Sequence, residues 1–539
     1  MTEESLSGGV NWKLRPDTVV KKINDAYLGP RPDVDTFANY EKLLEGCRGS
    51  YLGLEKMRNV YNCLEYLDRQ QGDYLFIPES RPSEIDPYYP AVSDAAPSTE
   101  TSQGECSGPI QLYHTYWTGP STWRVEFFVK GYLYTQNLPC SRLYIWLESD
   151  TNPKAVEDMR NDPGFARFMP LVERGDIVLK AWHFPSRIPI PRETIEADPL
   201  YARYLTKDGK LAPLPAGKDE LYIGDGVVLT KDGSTWIVLT ERQMTFLPVA
   251  VSDAVRFVVL HIYGGIYFDM DVLMLRDMRP LVLPPDHNFA ERWAVHSHPG
   301  DFNTAVMALT ANSSISSYLV RGGVRMGLNF HPRIIGRMAW KDGRVEEFTM
   351  FETGLFDPIW GEFNWGREGR CTVPCFKDYG VAFLGTKGAI KDEWQSYDGK
   401  PLELKPEFEH TGSELRRRGS TEKDKEDPEP ELVLESEYDS PFHVAVEQTS
   451  TVDTTYGGKR YVLSEDQYPP NNRTLENFFR GAWTYHIHNQ WLKHPQPNSW
   501  FHVIQRAHDG FFAGERSNPY GEKWTGPKIA TYQRWPEFD

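Results

Sequence analysis

The segment Ser252-Asp253-x-x-Arg256-x-x-x-Leu260-x-x-Tyr263-Gly264-Gly265-x-Tyr267-x-Asp269-x-Asp271 constrains this chain more than any other stretch. Val251, Ala254, Val255, Val258, Val259 and Ile262 recur at helical spacing, so the residues before Tyr263 read as an amphipathic helix laid on a core. Asp253 and Arg256 stand three apart on the other face, close enough to pair or to line one cavity. Gly264 suits the left-handed position that ends a helix, and Gly265 lets the backbone turn tightly. Next come Ile266 to Phe268 and Val272 to Leu275, an apolar run that reads as a buried strand.

Two acids interrupt that run. In extended chain, residues i and i+2 point the same way, so Asp269 and Asp271 are predicted to project together at the strand end. Side by side against a low-dielectric interior they repel, and one carboxyl tends to keep its proton unless a cation lies between them. A hard divalent ion with oxygen ligands relieves that repulsion, which predicts a metal site. The plain alternative for Asp253 and Arg256 is a solvated i,i+3 ion pair.

Strand and helix signals alternate around this unit. Gln111–Trp117, Leu143–Leu147 and Ile177–Trp182 read as strands, with helices near 121–136 and 153–170 between them. That alternation predicts an α/β fold with a mainly parallel central sheet. Ligands of such sheets gather beyond the carboxyl ends of the strands, so Trp117, the residues after Leu147, and Asp269 with Asp271 are expected on one rim. Residues 1–78 read as a helical N-terminal region and 79–108 as a polar linker or loop. Residues 109–396 read as the catalytic core, with an insertion near 186–238 containing a hairpin (Tyr222–Ile223, Val227–Leu229, Trp236–Leu239). A flexible acidic insertion is expected over 397–440, and 441–539 completes the catalytic domain.

The extended pattern over 252–271 resembles the core signature of the DXD sugar-binding-region glycosyltransferases. Their kin include the outer-chain-initiating α-mannosyltransferases, the lactosylceramide-type α-galactosyltransferases and, distantly, the large glucosylating toxins. The resemblance implies the GT-A nucleotide-diphospho-sugar transferase fold and metal-dependent transfer of a hexose from a UDP- or GDP-sugar to a hydroxyl acceptor, with retained anomeric configuration. It implies Mn²⁺ or Mg²⁺ as cofactor, held by Asp271 and Asp269, with Arg256 and Asp253 engaging the donor. A nucleotide-sugar hydrolase, or a non-catalytic sugar-binding relative, would carry the same donor site.

Further segments add candidates. Pro109-Ile-Gln-Leu-Tyr-His114-Thr-Tyr116-Trp117 resembles the family's opening strand, which implies that Trp117, with Tyr116 beside it, lies under the nucleotide base. Tyr267 within the signature joins the same donor set. Asp301-Phe302-Asn303 resembles a segment in which an asparagine opens a helix beside the sugar, and read by itself Asn303 is equally an N-cap. Tyr485-His486-Ile-His488-Asn489-Gln-Trp491 resembles the C-terminal element of the family, with His488 where tryptophan is usual and Trp491 at the mannosyltransferase spacing. His486 and His488 share a face if the segment is a strand, and an imidazole ligand favours Mn²⁺ over Mg²⁺. Glu352 and Asp357 are acceptor-side candidates on a loop where carboxylates are usually solvated.

A formal charge of −17 argues against nucleic acid as partner. The six cysteines are sparse and lack zinc spacing, so reduced thiols in a cytoplasmic protein are expected. No segment approaches the ~20 apolar residues of a membrane span. The acceptor, whether glycan, lipid, protein or small molecule, has no signature.

Overall fold

Seven strands form the central sheet, in the order Thr349–Phe351, Phe289–Arg292, Phe302–Leu309, Gly265–Phe268, Gln111–Trp117, Ser141–Glu148, Ile177–Trp182. Only Phe302–Leu309 runs against its neighbours, and the other pairings are parallel. This computed structural model describes residues 27–48, 56–79, 100–101, 104–293, 298–358, 455–456, 459–460, 480–487 and 500–531. The mainly parallel α/β architecture predicted from the alternating signals is therefore present. Its topology sends the carboxyl ends of six strands, and the start of Phe302–Leu309, to a single rim.

The sheet is covered on both faces, as a parallel sheet must be. Along Ser141–Glu148, Leu143, Ile145 and Leu147 enter one core while Tyr144 and Trp146 enter the other, the period-2 alternation of a strand. Helices Trp123–Thr135 and Trp500–Phe512 pack on the first face with the N-terminal helices. Lys130 of the former donates to Asp509 of the latter at 2.7 Å, both side chains being buried. Helices Glu241–Tyr263, Ser314–Arg325 and Pro332–Lys341 cover the second face.

Several sequence expectations change in detail. The helix near 153–170 is two short pieces, Ala155–Asn161 and Met169–Glu173, joined through a 3₁₀ turn. The insertion near 186–238 is a four-stranded antiparallel sheet, its hairpin strands joined by Arg187–Ile190. Asn303 and the apolar residues after it form a central strand, not a helix, because Ala305, Val306 and Met307 are buried between two partners. A short apolar run at that position satisfies either period, and cross-strand pairing decides it.

The cysteines require a correction. Reduced thiols are expected from their sparse number, yet Cys47–Cys63 and Cys106–Cys140 are disulfides, all four residues buried. Sequence count carries no information about which cysteines meet in space. Disulfides persist in oxidising surroundings, so the cytoplasmic location expected from cysteine usage loses its ground. Among the described residues, no helix is long and apolar enough to cross a membrane. The acidic stretch 397–440, Cys371 and Cys375 lie outside the described residues.

Candidate metal and donor site

The helix that presents Asp253 and Arg256 spans Glu241–Tyr263 and opens with a capping box, Thr240 and Gln243 each satisfying the other's backbone N–H. It stops at Gly264, φ 68°, whose N–H returns to the Leu260 carbonyl. Gly265 follows at φ 87°, and a Cβ there would lie 2.3 Å from the Leu112 carbonyl oxygen. Gly265 is thus required by the close approach of the first strand, and Gly264 by its positive φ with Ala311 N 3.1 Å from where its Cβ would lie. His114 finishes the junction: its Nδ1 accepts from the Trp146 indole N–H at 3.2 Å, so its Nε2 carries the proton given to the Gly264 carbonyl at 3.0 Å. Burial pushes that imidazole down to about 3, and it stays neutral. His114 and Trp146 are therefore structural supports of the helix stop.

The acid pair is not displayed by an extended strand. Gly265–Phe268 ends before Asp269, and the chain turns through 269–271, with Val272 N–H donating to the Asp269 carbonyl at 3.1 Å. Asp269 is held against the neighbouring strand by its own N–H to the Ala305 carbonyl at 2.9 Å. A second, two-stranded sheet then begins: Val272–Met274 pairs antiparallel with Thr484–His486, which places His486 opposite Val272. Ile487 N–H donates to the Asp271 carbonyl at 2.9 Å. This clamp brings His486 Nε2 to 3.2 Å from Asp271 Oδ1.

One ligand atom each from Asp269, Asp271 and His486 lie within 4.8 Å of one another. Small side-chain rotations suffice to bring two carboxylates and an imidazole onto one ion at bond lengths of about 2.0–2.2 Å. The electrostatics fit the same reading. Burial, opposed by Arg256 and helped by Asp271, raises the Asp269 carboxyl above its ordinary value. Burial also works against charge on His486, but Asp271 prevails and holds the imidazole above its usual range.

Arg256 braces the pair from behind. Its guanidinium lies 3.1 Å from Asp269 and 3.4 Å from Asp253, and it donates to the Thr304 hydroxyl. The Tyr267 ring, buried beneath, receives the guanidinium at 5.4 Å. The predicted Asp253–Arg256 pair is therefore real, and it forms part of a larger cluster. Among the other predicted donor residues, Tyr116 is buried at the end of the first strand and Trp117 is partly open beside it. Asn303 accepts from Ala305 N–H and donates to Glu291 at 3.3 Å, at the start of its strand on the same rim. His488 and Trp491 lie outside the described residues.

Sequence reasoning missed Arg124 and Glu291, and it placed Glu352 and Asp357 on a solvated loop, whereas both are buried. Arg124 places its guanidinium 4.9 Å from the Trp117 ring and feels the charge of Asp271. A cation in the first turn of a helix opposes the macrodipole, which was the signal available. Glu291 and Asp357 are buried acids near one another, and burial with Asp357 beside it raises the Glu291 carboxyl far above its ordinary value. Asp357 also acts on His486. Glu352, expected to be solvated, is buried 3.6 Å from Arg292, and burial raises it to about 8. The short helix Thr353–Phe356 carries both acids inward.

No curated protein matches this chain. Among solved structures, a chain described as PaToxG Glycosyltransferase aligns with a TM-score of 0.25 and 14% identity, over 43% of this chain and 69% of that one. Residues 218–290 match the family model for the glycosyltransferase sugar-binding region containing DXD motif. The matched residues include the helix, the glycine stop and both acids, and on them the chain carries the sugar-binding region of the DXD-containing glycosyltransferases.

Proposed function

We propose that this protein is a metal-dependent, retaining glycosyltransferase that moves a hexose from a UDP- or GDP-sugar to a hydroxyl acceptor. The observation that carries the reading is the convergence of Asp269 and Asp271, from the middle of the chain, with His486, more than two hundred residues later, in front of Arg256. Two carboxylates and one imidazole suit Mn²⁺, with Mg²⁺ the weaker fit. When bound, the ion supplies Lewis-acid stabilisation of the departing nucleoside diphosphate.

The chain's own residues supply positioning. Arg256 fixes Asp269 and Asp253 by ion pairs, and Tyr267 and Thr304 fix Arg256. Asp253, the most exposed of the three acids, would accept hydrogen bonds from sugar hydroxyls. Trp117 at the rim offers a ring to the nucleotide base. No side chain is assigned as nucleophile. Preorganised charge and orientation account for the rate enhancement in this reading.

The test is turnover with a panel of UDP- and GDP-sugars and candidate acceptors, with Mn²⁺ and with chelator. Sugar transfer that vanishes on chelation is the expected result. Release of free sugar with no acceptor product would make the chain a hydrolase, and no donor binding at all would end the reading.

A further inference from the structure

We infer that Asn312 is a glycosylation site, carrying an oligosaccharide on its side-chain amide nitrogen. The inference stands apart from the donor chemistry above, and its failure would leave that reading untouched.

Two independent observations meet at this residue. The first is the sequence Asn312-Ser313-Ser314, an acceptor tripeptide whose middle residue is not proline. Among the described asparagines no other begins such a tripeptide. The second is redox chemistry. Cys47–Cys63 and Cys106–Cys140 are paired, and disulfides persist in the oxidising compartments of the secretory route, where such tripeptides are modified. The same tripeptide in a chain of reduced thiols would carry no such meaning.

The fold leaves room for the sugar. Asn312 is partly exposed, in the turn between strand Phe302–Leu309 and helix Ser314–Arg325. Its backbone is fixed at φ 54°, a region asparagine tolerates better than most residues, and its N–H donates to the His261 carbonyl at 2.8 Å. The two serines are engaged. Ser313 caps the helix by accepting the Ser316 N–H at 3.1 Å, and Ser314 accepts from Arg344 at 2.6 Å. The Asn312 side-chain amide, by contrast, has no hydrogen-bond partner among the described residues. The turn therefore accounts for the residue type and leaves its amide available. The strand before it runs antiparallel to Gly265–Phe268, with Leu309 opposite Gly265 and Val306 opposite Phe268. Asn312 thus lies at the rim opposite Asp269, about 13 Å of strand away, and a glycan there would stand at the end of the sheet remote from the donor site.

The donor is an oligosaccharide held on a lipid pyrophosphate. The amide nitrogen of Asn312 bonds to its anomeric carbon as the bond from that carbon to the pyrophosphate oxygen breaks. The lipid pyrophosphate leaves, and the amide proton passes to a base of the transferring enzyme. The reaction takes place on the chain before it folds, so the later bond from Arg344 to Ser314 does not obstruct it.

Peptide mapping of the full chain, isolated from the cells that make it, tests this. Peptide N-glycosidase in heavy-oxygen water turns each released asparagine into a labelled aspartate that mass spectrometry identifies. Position 312 should appear as labelled aspartate in most chains. Ser314→Ala introduced into the same cells should abolish the label, and Ser314→Thr should keep it. Transfer precedes folding, so the readout does not depend on the stability of either variant. An unmodified Asn312 in chains whose two disulfides are formed overturns the assignment, and so does a label that survives Ser314→Ala. An unmodified Asn312 beside free thiols overturns it together with the oxidising compartment.

Discussion

Asp271 and His486 stand 3.2 Å apart across the antiparallel pairing of Val272–Met274 with Thr484–His486. The site is therefore closed by a C-terminal strand that adds an imidazole to an acid pair supplied from the middle of the chain. A bare Asp-x-Asp is common in an acidic chain, whereas this three-sided arrangement has a specific chemical use.

Asp271→Asn tests that use directly. In the metal-free protein its stability should stay within about 1 kcal/mol of the parent, because the lost contact with His486 is offset by relief from Asp269. Mn²⁺ at 100 times its Kd should raise the stability of the parent by about 2.7 kcal/mol and that of the variant by almost nothing. Thermal melts with and without Mn²⁺ give the answer, and an equal metal-induced shift in both proteins would exclude Asp271 as a ligand.

His486→Gln should change which metal is preferred. Imidazole favours Mn²⁺ over Mg²⁺, and an amide oxygen does not, so the ratio of the two affinities should fall by roughly tenfold. Competition between the two ions, read by calorimetry, measures it. An unchanged ratio would place His486 outside the coordination shell and leave it as a partner of Asp271 only.

Much of this was legible in the sequence, for identifiable reasons. The helix stripe before Tyr263, the two glycines and the acid pair are local patterns, and the helix and its stop fell where periodicity put them. The turn through 269–271 was not legible, because an apolar run broken by two acids satisfies an extended reading equally well. Asn303 was misplaced on a helix since its burial depends on strands far away in the chain. Thr304 and Glu291 came into the site only through sheet pairing, which no local pattern encodes. The disulfides were missed for the same reason: Cys106 and Cys140 are neighbours because adjacent parallel strands begin beside them.

Those disulfides should contribute measurable stability. Cys47–Cys63 and Cys106–Cys140 close loops with sequence separations of 16 and 34. Chain-entropy reasoning gives about 3 kcal/mol for a loop near the shorter length and slightly more for the longer. Peptide mapping without reductant should recover both pairs, and dithiothreitol should lower the melting temperature. Finding all four thiols free in protein prepared under air, at unchanged stability, would remove the case for an oxidising compartment.

Acid should unfold the protein through its buried neutral histidines. Burial lowers His114 to about 3 and His261 to about 4. Between those values and the ordinary value near 6.5, the unfolded chain binds protons that the folded chain refuses, so stability rises with pH in that window and is lost as pH falls through it. His114→Gln can still donate to the Gly264 carbonyl but cannot take up a proton. Urea melts at pH 7 and pH 4.5 should show a smaller acid-induced loss for the variant, by about 1–2 kcal/mol or more. Equal losses would mean that His114 is protonated in the folded state and that its Nδ1 does not accept from the Trp146 indole.

The sharpest test of the local architecture is Gly265→Ala. At φ 87° a Cβ is strained, and the atom it would meet, the Leu112 carbonyl oxygen at 2.3 Å, belongs to backbone and cannot rotate away. Strand Gly265–Phe268 would have to move off Gln111–Trp117, losing the pairing of Ile266 with Tyr113 and carrying Asp269 with it. The expected cost is at least about 2 kcal/mol, from the conformational strain and the contact together. Gly175→Ala is the matched control, since its φ is 81° but nothing lies near its Cβ. It should show the strain alone, about 1–2 kcal/mol, with the Mn²⁺-induced stabilisation intact. If Gly265→Ala instead melts like the control and keeps its full response to Mn²⁺, then the close approach of these strands is not what sets the acids in place.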